Sequence, residues 1–308
     1  MKIAFLFPGQ GSQHSGMAKD LYGGYESIQK IYRHASELSG LNLTELSFKG
    51  SRKQLAATEH AQPTIFTLSF AIAEVLETHG IRPAVLAGHS LGEFSAMVSA
   101  GALSFDEGLQ LVVARGQMMA TSGKDVPGTM VSVSGLAVED VEALVHGAEA
   151  EVWVANFNAP QQTIISGTHE GIKRATHLAR AAGGQIKNLA VSGAFHTPLL
   201  KSAASHFAKQ VETCQFSDPT YPIIGNINAK LLTDATAIRQ ELREQMLSPV
   251  RWIDSMKKML TMEIDMFVEV GPGKVLKGLM LRTNRQAQVF TTGSCQELDA
   301  VIKRLGVI

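Results

Sequence analysis

The turn Gly88-His89-Ser90-Leu91-Gly92 separates an apolar run, Pro83-Ala84-Val85-Leu86-Ala87, from a stretch with helical spacing, Phe94-Ser95-Ala96-Met97-Val98-Ser99-Ala100. A short apolar run bounded by turn residues reads as a buried parallel strand. Gly-x-Ser-x-Gly at such a junction is a nucleophile elbow: the glycines permit a turn too sharp for side chains, and the serine is presented at its tip. The amides that open the following helix can stabilise a developing oxyanion. Ser90 is therefore the candidate nucleophile. The bland alternative is a glycine-rich turn with an incidental serine, which a pentapeptide alone leaves open.

A nucleophilic serine needs a base. His196 lies in Val191-Ser192-Gly193-Ala194-Phe195-His196-Thr197-Pro198, just after the strand pattern Ile186–Val191, with Pro198 placed to open a helix. Its small, glycine-containing neighbours would let a substrate approach. His14, His34, His79, His146, His169 and His177 sit in polar surroundings and carry no chemical hypothesis. No His-Glu-x-x-His or Cys-x-x-Cys spacing exists, so no metal site is expected.

Ser104-Phe105-Asp106-Glu107 reads as a capping box opening a helix through Met119. At 3.6 residues per turn, Val112, Arg115, Gly116 and Met119 share one face. An arginine on an apolar face is costly unless acceptors or an anion meet it. A snorkelling or structurally paired arginine is one reading; a bidentate clamp for a substrate carboxylate is the other. Near the N-terminus, the strand pattern Lys2–Phe7 leads into Pro8-Gly9-Gln10-Gly11-Ser12-Gln13. This loop lacks the ending of a nucleotide-binding loop, and its expected role is a backbone donor aimed at a reacting carbonyl, with Gln10 the best candidate.

Taken together, these residues resemble the malonyl-CoA:acyl carrier protein transacylase family. The shared segments are Phe7-Pro8-Gly9-Gln10-Gly11-Ser12-Gln13, Gln62-Pro63, Gly88-His89-Ser90-Leu91-Gly92-Glu93, Arg115-Gly116 with Met119, Gly193-Ala194-Phe195-His196 and Glu269-Val270-Gly271-Pro272-Gly273. They appear in family order from residue 3 to about residue 282. The resemblance implies that Ser90 is acylated, His196 is its base, and the amides of Gln10 and Leu91 form the oxyanion hole. It makes Arg115 the malonate clamp, with Gln62, Met119 and Phe195 beside the substrate. It also implies that a backbone carbonyl orients the histidine; by spacing to Pro249-Val250-Arg251-Trp252, that carbonyl is Gln245's. Thr197 departs from the family pattern, where many relatives carry Ser, but it remains a small hydroxyl. The implied substrates are malonyl-CoA and a phosphopantetheinylated acyl carrier protein, with no cofactor.

Periodicity divides the chain into three passages. Residues 1–126 alternate strand and helix, including a helix started by Pro63 and stopped by Gly80. Residues 127–192 read β-α-β-β-α-β, a small ferredoxin-like subdomain with strands at 129–134, 152–156, 162–166 and 185–191. Residues 193–308 return to α/β, with strands near 221–226, 264–270 and 287–292. The expected fold is thus a large α/β-hydrolase-like subdomain with a parallel sheet, interrupted by the small one, with the site in the cleft between them.

With 28 basic and 28 acidic residues in 308, nothing draws the chain to nucleic acid or an anionic membrane. No apolar run reaches membrane-spanning length, and the five-residue run before Pro8 is too short for a signal peptide. A cytoplasmic monomer is expected, with Cys214 and Cys295 as buried free thiols. Two rival classes remain. An α/β-hydrolase esterase or thioesterase would need an acid at a strand end between Ser90 and His196, and Asp106, Asp125, Asp140 and Glu151 lack that context. A non-catalytic docking protein would have no use for Ser90, His196 and Arg115 together. Within the family, loading of polyketide or other specialised carriers is the alternative to fatty acid synthesis.

Overall fold

The computed structural model describes residues 1–306. Its ten strands are β1 (Ile3–Phe7), β2 (Val85–Gly88), β3 (Thr129–Ser134), β4 (Val152–Ala159), β5 (Gln162–Gly167), β6 (Gln185–Asn188), β7 (Ile223–Ile224), β8 (Leu231–Leu232), β9 (Met266–Glu269) and β10 (Val289–Thr291). Six form one sheet in the order β10-β9-β1-β2-β7-β8, parallel except for the β7–β8 edge. β1 lies inside it and is buried at every residue. Ile3, Phe5 and Phe7 pack into one hydrophobic cluster, and Ala4 and Leu6 into another on the opposite face. Burial on both faces is what an unbroken apolar strand in a parallel sheet requires.

The other four strands form an antiparallel sheet in the order β4-β5-β3-β6. Helices Val138–Gly147 and His169–Ala181 cover it, joining Val131, Val133 and Ile165 in a separate small core. The β-α-β-β-α-β order and antiparallel pairing are the ferredoxin-like arrangement. The large sheet draws β1 and β2 from before this segment and β7–β10 from after it. The two units are also stitched by backbone: the Phe157 amide donates to the Val250 carbonyl at 2.9 Å, and the Val250 amide to the Ala155 carbonyl at 2.8 Å.

Four local expectations need correction. The helix expected to start at Pro63 runs from Thr58 to Thr78, with Pro63 inside it. A proline this near a helix start removes one donor, and only the Glu59 carbonyl loses its helical partner. The strand expected over 185–191 ends at Asn188, because β6 is a largely exposed edge strand with no neighbour beyond it. At Ser104 the hydroxyl accepts from the Glu107 amide at 3.2 Å, but Glu107 does not close the capping box. Its carboxylate instead takes the Ser104 hydroxyl at 2.7 Å and the Gln215 amide at 2.8 Å. Cys214 and Cys295 are free but only half-buried, since each sits at a helix end.

Candidate active site

Phe7 and Gly88 are paired at the ends of adjacent strands, and the chain turns sharply after Gly88 into the helix Gly92–Ser99. The turn depends on its glycines. A Cβ on Gly88 would lie 2.0 Å from the Gly92 carbonyl group, and one on Gly92 would lie 2.0 Å from the Phe7 carbonyl oxygen. Ser90 at the tip has φ of 50°, a left-handed conformation that non-glycine residues seldom adopt. Its backbone is held on both sides. The Ser90 amide donates to Asn226 Oδ1 at 2.7 Å, and its carbonyl accepts from Gln245 Nε2 at 2.9 Å.

His196 reaches the serine across the interruption in sequence. Its Nε2 lies 2.7 Å from Ser90 Oγ, and its Nδ1 faces the carbonyl oxygens of Gln245 at 3.1 Å and Ser248 at 3.0 Å. Two carbonyls can only accept, so Nδ1 carries the proton and Nε2 presents its lone pair to the serine hydroxyl. No carboxylate among the described residues orients this ring. Burial, followed by the nearby charge of Arg115, pushes the His196 pKa from 6.5 down to about 3, so the imidazole is neutral at neutral pH.

Arg115 enters from the helix Phe105–Asp125 and is 1% exposed. Nη1 donates to Gln62 Oε1 at 2.9 Å; Nη2 donates to Ser90 Oγ at 3.0 Å and to Gln245 Oε1 at 2.9 Å. Nε is buried with no partner among the described residues. All three acceptors are neutral, so the guanidinium has hydrogen bonds but no counter-charge in direct contact. Burial lowers its pKa to about 10, which leaves it charged at neutral pH.

A cavity of about 80 Å³ opens on Ser90, lined by Gln10, Leu91, Arg115, Met119, Phe195 and His196, with Met130, Asn156, Leu189 and Val191 completing its wall and His89 at its edge. Gln62, expected beside the substrate, is not part of that lining. It lies behind Arg115, accepting from the guanidinium and donating to Met119 Sδ at 3.2 Å. The backbone amides of Gln10 and Leu91 donate to no acceptor among the described residues. A wider cavity of about 440 Å³ adjoins, sharing Gln10, Leu189 and Val191 and reaching Arg52. Among the described residues, no group of three or more His, Cys, Asp and Glu side chains is placed to hold a metal ion.

Sequence reasoning missed three contributors: Ser248, Asn226 and Glu93, whose carboxyl accepts from Gln245 Nε2. Ser248 contributes only a backbone carbonyl, which has no side-chain signature. Asn226, in Gly225-Asn226-Ile227-Asn228, looks like an ordinary turn residue. Glu93 carried a usable signal, since it is an acid inside a helix whose other residues are small or apolar.

A family model described as "Acyl transferase domain" matches residues 4–299. A malonyl CoA-acyl carrier protein transacylase of Bacillus subtilis strain 168 is 38% identical over 308 residues, covering 99% of this chain and 97% of that protein. The chain belongs to the malonyl CoA-acyl carrier protein transacylase family. The solved transacylase of that name from Coxiella burnetii superimposes with a TM-score of 0.95 at 35% identity, covering 99% of this chain and 98% of the other. A malonyl-transacylase solved in complex with a type II PKS acyl-carrier protein gives 0.95 at 33% identity, covering 99% and 100%. The mixed α/β architecture with its separate antiparallel sheet is thus that of solved transacylases.

Proposed function

We propose that this chain moves a malonyl group from malonyl-CoA to the phosphopantetheine thiol of an acyl carrier protein, through an ester on Ser90. One observation carries the assignment of roles: Ser90 Oγ sits between the lone pair of His196, at 2.7 Å, and the guanidinium of Arg115, at 3.0 Å. The same oxygen can therefore lose its proton to a neutral base while a cation steadies the charge left on it.

In this mechanism His196 Nε2 takes the hydroxyl proton as Oγ attacks the thioester carbonyl. The carbonyl oxygen becomes an oxyanion, met by the unengaged amides of Gln10 and Leu91. Collapse breaks the carbon–sulfur bond, and the CoA thiolate leaves with the proton from His196. The carrier thiol then gives its proton to His196 and attacks the malonyl-Ser90 ester, and Oγ recovers its proton as it leaves. The malonyl carboxylate supplies Arg115 with the charge partner it lacks, in the planar geometry a guanidinium suits. The wider cavity reaching Arg52 is where the donor's long arm would lie.

Water has to lose to a thiol in the second half-reaction. The small volume beside Ser90, walled by Met119, Met130, Leu189, Val191 and Phe195, supports exclusion of bulk water from the ester. An esterase reading is disfavoured by the absence of a carboxylate on His196 and by the buried cation at the acyl position. Intact-protein mass spectrometry after mixing with malonyl-CoA tests the assignment. Wild type should gain one malonyl group and Ser90→Ala none; an adduct persisting in the variant would place the nucleophile elsewhere. The likeness to a transacylase that pairs with a polyketide carrier supports a second destination for the acyl group. Competition between fatty acid and polyketide carriers for a limiting malonyl-enzyme distinguishes the two.

A further inference from the structure

Behind the elbow, outside the cavity lining, two carboxyl groups meet in the interior. Glu93, in the first turn of the helix Gly92–Ser99, is fully buried, and Glu241, in the helix Ala235–Glu244, is 4% exposed. Their carboxyl groups are brought side by side by successive backbone amides, Asn226 donating to Glu93 and Ile227 to Glu241. Glu93 Oε1 accepts from the Asn226 amide at 2.8 Å and from Asn226 Nδ2 at 2.9 Å, and Oε2 accepts from Gln245 Nε2 at 2.5 Å. Glu241 Oε1 accepts from the Ile227 amide at 2.8 Å. Each of these hydrogen bonds is an N–H donating into a carboxyl oxygen, so both acids act as acceptors. Two ionised carboxylates this close in the interior repel each other, and a proton kept on the pair relieves that repulsion.

We propose that Glu93 and Glu241 hold one proton between them, and that the singly charged pair is a positioning device for Ser90 and Arg115. The device works through two side-chain amides whose orientation Glu93 dictates. A carboxylate can only accept, so Asn226 and Gln245 must both turn their NH2 ends toward it. That leaves Asn226 Oδ1 for the Ser90 amide and Gln245 Oε1 for Arg115 Nη2, while Gln245 Nε2 also reaches the Ser90 carbonyl. Both backbone anchors of the left-handed serine, and one anchor of the guanidinium, thus trace to one carboxylate. The negative charge belongs on Glu93, which receives three N–H donors and faces Arg115 across the Gln245 amide.

The charged and titratable groups around the pair are few. Arg115 acts on it from the helix Phe105–Asp125, Glu244 from Glu241's own helix, and His196 meets the far side of Gln245 through that residue's carbonyl. Burial pushes both carboxyls up from the ordinary carboxylate range, and the neighbouring charge of Glu241 raises Glu93 further, which favours retention of the shared proton. Loss of that proton as pH rises leaves two buried negative charges side by side and loosens the elbow.

The device serves the transfer chemistry proposed above, and the test separates the two readings. Malonyl transfer is followed from mildly acidic to alkaline pH for wild type, Glu93→Gln, Glu241→Ala and Glu241→Gln. Glu93→Gln turns a second NH2 toward Gln245 and should lower kcat about 10²-fold, the scale of a small misplacement of a reacting group, with KM little changed. Glu241→Ala should lower kcat about tenfold, and Glu241→Gln, whose NH2 replaces the acid proton as donor, should restore it to within about threefold of wild type. The restored enzyme should lack the alkaline fall in kcat that the shared proton gives wild type. Isotope-edited infrared spectra of glutamate-labelled protein should show a carboxylic-acid carbonyl band in wild type that Glu241→Gln lacks, with no turnover required. An unchanged infrared difference, a Glu241→Gln profile that keeps the wild-type alkaline limb, or full kcat in Glu93→Gln overturns the proposal. If Glu93→Gln does not fold, the Glu241→Gln profile and spectrum decide. A wild type that forms no malonyl ester would overturn the transfer reading and leave the infrared difference to decide the shared proton.

Discussion

Nη2 of Arg115 lies 3.0 Å from Ser90 Oγ and 2.9 Å from Gln245 Oε1, so one guanidinium nitrogen is tied both to the candidate nucleophile and to the residue whose carbonyl faces the candidate base. Before substrate arrives, the cation helps the serine oxygen carry charge. Nε and the second hydrogen of Nη1 are then what remains for a carboxylate. The arginine is therefore expected to serve two steps, activation of Ser90 and selection of the acyl group.

His196 should be essential, and its pH behaviour should show why. His196→Ala is expected to lower transfer by roughly two to four orders of magnitude. No carboxylate between Ser90 and His196 orients the ring, so replacing Asp106, Asp125, Asp140 or Glu151 should do far less. With the folded pKa at about 3 against the ordinary 6.5, wild-type kcat/KM should show no histidine limb around 6.5. The linkage sign follows from the same shift. The unfolded chain binds more protons inside that window, so the stability from neutral His196 is complete above 6.5 and is lost as pH falls toward 3. Thermal melts across the window should be flatter for His196→Ala than for wild type. A wild-type activity limb at 6.5, or parallel melting curves, would show that the imidazole is not held neutral.

The elbow should tolerate no side chain at Gly92. A methyl group there would have to displace the Phe7 carbonyl, which is strand backbone and cannot swing aside. Gly92→Ala should cost about 3 kcal/mol or more, the upper range for overpacking. Gly135→Ala is a useful contrast, because nothing lies within 4 Å of a Cβ there and only its positive φ of 88° opposes the change. Urea denaturation of both variants measures the difference, and equal midpoints would mean that the turn can relax.

Ser90, His196 and Arg115 were legible because each carries a local signal: a strained turn between apolar segments, a histidine in a small-residue loop before proline, and a cation on an apolar helical face. The parallel strands were legible for the same reason, as unbroken apolar runs such as Ile3–Phe7. What escaped was relational. Pro63 looks like a helix start, yet Thr58 to Gln62 are already helical, and the backbone there packs against Gly116. Leu189 and Val191 look like strand residues, but after one bond from the Leu189 amide to the Met130 carbonyl the chain leaves β3, and both residues line the site cavity instead. The Glu93–Glu241 pairing across the Asn226 and Ile227 amides joins positions 148 apart by number, and no pattern along the chain announces it.

Phe195 should set tolerance for substituents on the acyl group. Its ring is 4% exposed and lines the cavity beside His196, where an α-methyl group would crowd it. Wild type should use methylmalonyl-CoA poorly. Phe195→Ala should improve the methylmalonyl-to-malonyl ratio of kcat/KM by roughly 10-fold to 200-fold, the range in which a pocket discriminates one methylene. A ratio that does not move would make the ring a packing residue only.

Arg115 should decide which acyl groups are accepted. The guanidinium is 1% exposed, its three acceptors are neutral, and its Nε has no partner among the described residues. A malonyl carboxylate brings the charge this site lacks, while an acetyl group leaves the cation uncompensated in the interior, which is costly. Arg115→Ala should lose malonyl transfer by about 10³-fold, since it removes both the clamp and a donor to Ser90 Oγ. Acetyl transfer should fall less, because it loses only the second of these. Arg115→Lys should recover part of the malonyl rate, since an ammonium supplies charge without a planar fork and cannot meet Gln62, Gln245 and the substrate together. The measurement is the malonyl-to-acetyl ratio of kcat/KM in the three proteins. It should be highest in wild type, intermediate with lysine and lowest with alanine. A ratio that stays constant while both rates fall together would leave Arg115 as a partner of Ser90 alone and place carboxylate recognition elsewhere in the cavity.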